Sequence, residues 1–287
     1  MITEEKILEL EEKANNIRES IIEMLVEAGS GHTAGPLGMA DIFTILYFHI
    51  LKHDPKNLSW EERDRVVLSN GHICPVLYAT MAHAGYFSVE ELKTLRKFGS
   101  RLQGHPHREF MPWLETSSGP LGAGLSQAVG MALADRIDRG RNSERYIYVL
   151  LSDGEHDEGN TWEAILLASK EKLNNLIVIV DRNNIQIDGY TEDVMPLGDL
   201  ALKYEVFGWH AQEVNGHDFE EVNSAIERAK AVVEKPSVLI ARTIPGKGVK
   251  EFERDYKWHG KPPNKEEAKM ALDELRTLGG KIRSEHQ

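Results

Sequence analysis

An α/β fold, a parallel sheet flanked by helices, is predicted from three features of the sequence. Two apolar runs, residues 146–151 and 176–180, enclose a stretch with helical spacing, the pattern of a strand–helix–strand unit whose strands are buried on both faces. Each run ends in polar residues, Ser152-Asp153-Gly154 after the first and Asp181-Arg182-Asn183-Asn184 after the second. Strand-like and helix-like segments alternate through the chain without a linker or a shift of composition, which predicts a single α/β domain over residues 1–287. Ligands of open parallel sheets bind at the carboxyl ends of the strands, so the two polar run ends are the first place to look for a site.

The elements follow in order. Ile7, Leu10, Ala14, Ile17, Ile21 and Leu25 recur at spacings of three and four, an amphipathic helix. The glycine-rich loop 29–36 precedes a stretch, 37–51, that is apolar almost all round and reads as a buried helix. Residues 66–69 read as a short buried strand ending at Asn70-Gly71-His72, where another helix begins. Ser88 and Glu91 have the spacing of a capping box. Residues 99–120, with Gly99, Gly104, Pro106, Pro112, Gly119 and Pro120, form a long irregular loop, and loops of that length in compact domains are usually functional. A helix over about 121–137 starts with free backbone N–H groups. In the helix between the two apolar runs, Asn160 is the expected cap, Glu163 completes its box, and Trp162, Leu166, Ser169 and Leu173 share a face. Asp188-Gly189 marks a turn. A short helix near 197–207, a strand at 209–214, a helix at 219–233, a strand at 237–243, a second long loop at 245–260 and a final helix at 265–282 complete the chain.

Composition removes several classes of function. Hydrophobic residues make up 41% and charged residues 28% of 287, ordinary for a globular chain with ample core. The longest apolar stretch, 42–51, is interrupted by Thr44 and His49 and is too short to span a bilayer, so no membrane association is expected. The N-terminus has no basic-then-apolar run and no secretory signal is expected. Cys74 is the only cysteine, which rules out an internal disulfide and fits the reducing cytoplasm. The net charge of −12, from 34 basic and 46 acidic residues, argues against a nucleic-acid surface, which needs clustered Lys and Arg. An anionic ligand would have to be neutralised mainly by a metal and by backbone N–H groups.

Asp153 and Asn183 are 30 residues apart, enough for one right-handed crossover between parallel strands. On neighbouring strands they would reach one ion, and an Asp with an Asn supplies oxygen with little charge, which suits Mg²⁺ when phosphate oxygens complete its octahedron. The alternative, that both residues merely end strands, stands beside this reading. C-x-x-C and H-E-x-x-H are absent, as is G-x-G-x-x-G at the first strand end, which lowers the case for zinc or a nicotinamide.

Asp153-Gly154 followed 30 residues on by Asn183-Asn184 resembles the thiamine diphosphate signature. Ser30-Gly31-His32, the run 68–72, Gly104-His105-Pro106, the run 116–122 and His259-Gly260 resemble transketolase motifs, in that family's order. The resemblance covers nearly the whole chain and the amino-terminal half of an ordinary transketolase. It implies a thiamine diphosphate-binding fold, with the pyrimidine-binding and carboxy-terminal domains absent. It also implies Mg²⁺ (with Ca²⁺ or Mn²⁺ as substitutes) held by Asp153, Asn183 and the main-chain carbonyl of Ile185. Gly154 would let the backbone approach the diphosphate, Gly119, Pro120 and Leu121 would line the aminopyrimidine, and His72 and His259 would contact the diphosphate. His32 and His105, with His259, would face the sugar, where imidazole can remove a hydroxyl proton and return it. Glu158 and Glu163 match family acids near the dimer interface.

The implied activity is that of a transketolase, a glycolaldehyde transferase acting on sugar phosphates in the pentose phosphate pathway. With no second module after residue 287, a separate carboxy-terminal subunit is expected, as an α2β2 assembly with a homodimeric core. The alternatives are a related transferase with a sulfonated or branched donor, and a non-catalytic cofactor-binding or assembly subunit. Two departures stand out: Ser152 replaces the usual glycine, and residues 107–113 differ from the commoner loop and so bear on the substrate channel. Lys247 suits a phosphate-adjacent lysine but reads rather as a solvated loop lysine. His49, His53, His83 and His217 match no motif and read as structural; His107 and His156 lie near the site in sequence without a motif role.

Overall fold

A computed structural model of the chain describes residues 2–140 and 143–285, and it contains one five-stranded sheet in which every pairing is parallel. Helix α1 (Glu4–Ala28) starts at Thr3, whose hydroxyl accepts the Lys6 N–H at 3.2 Å, and stops at Gly29 in the left-handed region. Helices α2 (Ala34–Gly38) and α3 (Ala40–Ile45) follow, then a wide turn over Leu46–Ile50. The single buried helix expected over 37–51 is therefore broken at its start. A side chain at Gly38 would meet the carbonyl oxygen of Ile244 at 2.9 Å, and Gly246 N–H donates to Ala34 O at 2.8 Å. The close approach of that later loop holds the break.

Strand β1 (Arg65–Leu68) leads through one turn, Gly71–Ile73, into α4 (Cys74–His83). At Ser88 the expected capping box is half made. The hydroxyl accepts Glu90 N–H at 3.3 Å, but the Glu91 carboxylate pairs with Arg101. Helix α5 (Ala123–Arg139), strand β2 (Ile147–Ser152), helix α6 (Gly159–Lys170) and strand β3 (Leu176–Arg182) come next. Helix α6 differs from expectation: its cap position is Glu158, Asn160 lies inside it, and its buried residues are Thr161, Ala164, Ile165 and Ala168. Of the expected face only Leu173 is fully buried, and Leu166 is 54% exposed.

Strands β4 (Ile185–Gln186) and β5 (Gly189–Tyr190) form a hairpin around the expected turn. Helices α7 (Thr191–Val194) and α8 (Leu200–Val206), strand β6 (His210–Asn215), helix α9 (Phe219–Ala231), strand β7 (Ser237–Arg242) and helix α10 (Lys265–Glu285) complete the fold.

The strand order is β1-β2-β3-β7-β6, so β7 inserts between β3 and β6. Alternate residues of each strand feed two cores. Tyr148, Leu150, Ile177, Ile179 and Leu239 pack with α1, α3, α4, α9 and α10, while Ile147, Val149, Val178, Val180 and Ile240 pack with α5, α6 and α8. Burial on both faces is why these strands read as unbroken apolar runs. The register pairs Ser152 with Asp181 and Asp181 with Ala241, which sets the polar ends of β2, β3 and β7 side by side. Among the described residues no helix is long and apolar enough to cross a membrane.

Candidate active site

A cavity of about 420 Å³ opens at the carboxyl edge of the sheet, within the size range of small-molecule sites. His32, His72, His105, His259, Gly119, Leu121, Gly154, Asn183 and Ile185 line it, together with Gly35, Ser152 and the hairpin residues Gln186, Ile187 and Asp188. Of the residues singled out in the sequence, Pro120 is exposed outside the lining and Asp153 lies fully buried beneath it.

Each histidine is carried by a short segment that another segment clamps. Thr33 donates to Lys261 O at 2.6 Å, locking the His32 loop to the loop of His259. Gly71 lets three segments converge: a Cβ there would lie 2.6 Å from Ser118 Cβ and 3.2 Å from both Gly119 N and His105 Cδ2. The His105 loop is tied to α4 by Cys74 Sγ to Gly104 O at 3.2 Å and Tyr78 OH to Gln103 O at 2.8 Å. The rings of His32, His72 and His259 form a triangle with centroids 4.9, 5.4 and 5.1 Å apart. Burial pushes His32 and His259 down to about 4 and His72 well below its ordinary value; neighbouring imidazoles lower His32 and His72 further. Burial also lowers His105, with the Arg96 cation contributing. At neutral pH the cluster is therefore uncharged, each ring offering one donor and one acceptor. His32 Nδ1 is buried with no partner in the chain.

The strand ends present oxygen. Asp153 Oδ1 accepts Gly154 N–H at 2.8 Å, and Oδ2 accepts from Arg182 Nη1 at 3.0 Å and from Asn184 N at 2.8 Å. The Gly154 N–H is thus engaged by the neighbouring carboxylate. Asn184 adopts the left-handed region (φ 62), which turns its N–H back towards Asp153. Asn183 Nδ2 donates to Asp181 Oδ2 at 2.7 Å and its Oδ1 accepts Ile185 N–H at 3.0 Å, which fixes which end of the amide is oxygen. Asp181 is fully buried, also accepts from Thr243 of the segment after β7, and is pushed up to about 7 by burial. Among the described residues no group of three or more His, Cys, Asp or Glu is arranged to hold a metal; an ion here would depend on Asp153, an amide and the main chain.

The residue that sequence reasoning missed is Glu155. In the run Glu155-His156-Asp157-Glu158 an acid reads as solvated, yet Glu155 is 0% exposed. Its Oε1 accepts from Ser69 Oγ and from Gly122 N at 2.8 Å, and its Oε2 from Ser152 N at 2.8 Å. Ser69 in turn accepts Gly124 N–H at 3.2 Å. The N–H groups at the start of α5, expected to be free, are therefore occupied at Gly122 and Gly124. Asn160, expected as a cap, donates to Leu121 O at 3.4 Å instead.

Other expectations resolve by location. His156 bridges Asp153 O and Tyr204 OH, at 2.9 Å each. His217 Nε2 accepts Ile244 N–H, so Nδ1 carries the proton donated to Asp41 at 2.7 Å. His53 and His83 make structural bonds to Tyr86 and Ser20. Lys247 lies in a separate groove beside α10. His107, Arg108 and Pro112 line a different surface cleft from the histidine cavity, so in the chain alone the divergent 107–113 loop stands apart from that pocket.

These residues fit a diphosphate cofactor with a hard divalent ion. Asp153 Oδ1 and Asn183 Oδ1 each accept one hydrogen bond and keep a lone pair, and hard oxygen donors suit Mg²⁺, Ca²⁺ or Mn²⁺. His32, whose Nδ1 is buried and unpartnered, belongs to the same ring cluster that would meet the ligand.

Comparison with known proteins agrees with this geometry. Residues 10–278 match the family described as transketolase, thiamine diphosphate binding domain. The chain is 42% identical to the 6-deoxy-6-sulfo-D-fructose transketolase subunit of Clostridium sp. (strain MSTE9), over 96% of this chain and 99% of that one. It is 38% identical to an apulose-4-phosphate transketolase subunit of Phocaeicola vulgatus, over 97% of each. The transketolase structure from Campylobacter jejuni superposes with a TM-score of 0.87 at 38% identity, covering 94% of this chain and 42% of that one; the chain spans about two fifths of the transketolase structures it matches. A match over nearly the whole chain, in sequence and in fold, establishes that this chain belongs to the transketolase family and carries its thiamine diphosphate-binding domain.

Proposed function

We propose that this chain is the amino-terminal subunit of a split transketolase. With a separate carboxy-terminal subunit, as an α2β2 assembly around a homodimeric core, it moves a two-carbon ketol unit reversibly between a ketose phosphate and an aldose phosphate, as in the pentose phosphate pathway. The observation that carries the reading is the pocket, where clustered neutral imidazoles face the oxygen-bearing ends of β2 and β3. The length relation supports a divided enzyme, because relatives named as subunits are matched over 99% and 97% of their length. The buried single thiol fits a cytoplasmic protein.

Asp153, Asn183 and the Ile185 main chain would hold the divalent ion, His72 and His259 the diphosphate, and Gly119, Pro120 and Leu121 the aminopyrimidine. Bound there, thiamine diphosphate supplies the electron sink that no side chain can. His32 and His105, uncharged at neutral pH, are suited to accept a hydroxyl proton from the sugar and to return one to an aldehyde oxygen. Ile187, 65% exposed on the cavity wall, fits a surface that a second chain covers.

A second reading changes only the donor. The relatives' names specify 6-deoxy-6-sulfo-D-fructose and apulose 4-phosphate, which favours a sulfonated or branched sugar here too. Reconstitution with the carboxy-terminal module and a donor panel of ordinary, sulfonated and branched sugars decides between them. The lone chain is expected to show negligible transfer, and the pair to turn over at least one donor with thiamine diphosphate. Robust turnover by the lone chain, or none by the pair with every donor, defeats the proposal; in the latter case metal-dependent cofactor binding would also have to be absent for a purely structural subunit to replace it.

A further inference from the structure

Arg182, the last residue of β3, sits where a cation site would need negative charge. Its Nη1 donates to Asp153 Oδ2 at 3.0 Å, with side chains 8% and 1% exposed, so water screens the pair little. The same oxygen accepts Asn184 N–H at 2.8 Å and lies 3.4 Å from Thr191 Oγ1. Oδ2 is thereby committed to protein donors, and only Oδ1 keeps a lone pair for an ion. Asn183 and the Ile185 carbonyl are neutral. Both oxygens of Asp181 are occupied, by Thr243 and by Asn183 Nδ2. Glu192 also pairs with Arg182, its side chain is 38% exposed, and its oxygens accept Leu197 and Gly198 N–H at 3.2 Å.

We propose that Arg182, acting through Asp153, makes the divalent ion and the diphosphate bind as one unit. With the charge of Asp153 offset by Arg182, a cation that the more exposed Glu192 shares, the protein offers an incoming dication three oxygens and little net charge, so the ion stays only when the diphosphate brings its own. Arg182 also holds Asp153 to one coordinating oxygen. The inference rests on the reading of this cavity as the thiamine diphosphate site.

The probe is Mn²⁺, followed by its free electron paramagnetic resonance signal, on the full chain alone and together with its carboxy-terminal partner. Wild type is expected to bind Mn²⁺ at least about tenfold more tightly with saturating thiamine diphosphate than without. Arg182→Gln should raise the affinity for Mn²⁺ alone by about tenfold, shrinking that dependence; Arg182→Lys, which keeps the charge, should behave like wild type. Wild-type binding of Mn²⁺ that ignores the cofactor overturns the inference, whether or not the Gln variant folds. So does a folded Gln variant with unchanged affinity for Mn²⁺ alone, or a Lys variant that gains it. Absence of Mn²⁺ binding in wild type even with cofactor and partner defeats the site reading itself, and the inference with it; cofactor-dependent binding with unresponsive variants defeats Arg182's role only.

Discussion

Glu155 ties three pieces of the cavity wall together through one carboxylate. Ser69 at the end of β1, Gly122 at the entry to α5 and Ser152 at the end of β2 all donate to it. Its burial raises its affinity for a proton, and those donors hold it back towards the ionised form. Glu155→Ala would strand these donors in a water-poor pocket, at about 1–3 kcal/mol for each one left unsatisfied. A net loss of about 2–4 kcal/mol in urea unfolding is expected, with Glu155→Gln losing roughly half, because its NH₂ must face one backbone N–H. Both variants release the 119–122 turn, so cofactor affinity measured by Trp fluorescence should fall at least about tenfold. Unfolding free energies within about 0.5 kcal/mol of wild type, roughly what an ordinary surface site gives, would remove Glu155 from this role.

At the scale of elements, what the sequence made legible was periodicity and order; what it hid was which partner each segment meets. Residues 146–151 and 176–180 were readable as strands because burial on both faces leaves no polar residue in them. The crossover length allowed the strands of Asp153 and Asn183 to be neighbours, and β2 does pair with β3. The insertion of β7 beside β3 was not readable, since strand order depends on tertiary packing. Ser88 caps its helix as expected, but the Glu91 half of its box and the Asn160 cap failed for a common reason: Arg101 and Leu121 O, distant in sequence, took the side chains that local rules assigned to the helix ends. Helix α6 carries two apolar stripes, and spacing alone selected the wrong one. Ile165 is fully buried, whereas Leu166 and Leu167 are 54% and 42% exposed. Ile165→Ala should therefore cost about 2–4 kcal/mol, while Leu166→Glu with Leu167→Glu should stay within about 0.5 kcal/mol in the isolated chain. Denaturant melts of the variants check this, and equal losses from both would contradict the orientation of α6.

For the whole molecule, the groups that shape the cavity also set its response to acid. His32, His259 and His156 are lowered to about 4 by burial, and His72 is lowered too. An imidazole with a depressed pKa in the folded state binds its proton first in the unfolded chain. Stability is therefore full above about pH 6.5 and falls as pH drops from there towards 4, each fully buried ring contributing up to about 1.4 kcal/mol per pH unit and the partly exposed ones less. Asp41 acts in a lower window. Although burial opposes its ionisation, Arg18 and His217 pair with it and bring it down to about 2. Its contribution is complete above about pH 4 and is lost between there and 2, so the two losses should appear in sequence. A diphosphate bound against the imidazoles favours their protonated forms, which raises the folded-state values and makes the upper limb shallower. Urea-unfolding free energies from pH 7 to 3 should therefore fall steeply between 6.5 and 4 for the chain alone, and less so with thiamine diphosphate and Mn²⁺. The double variant His32→Gln with His259→Gln should reproduce the shallower limb without ligand. A flat profile between pH 6.5 and 4 would mean that the cluster is hydrated and charged rather than held neutral, and the proton-shuttling role assigned to His32 would lose its electrostatic basis.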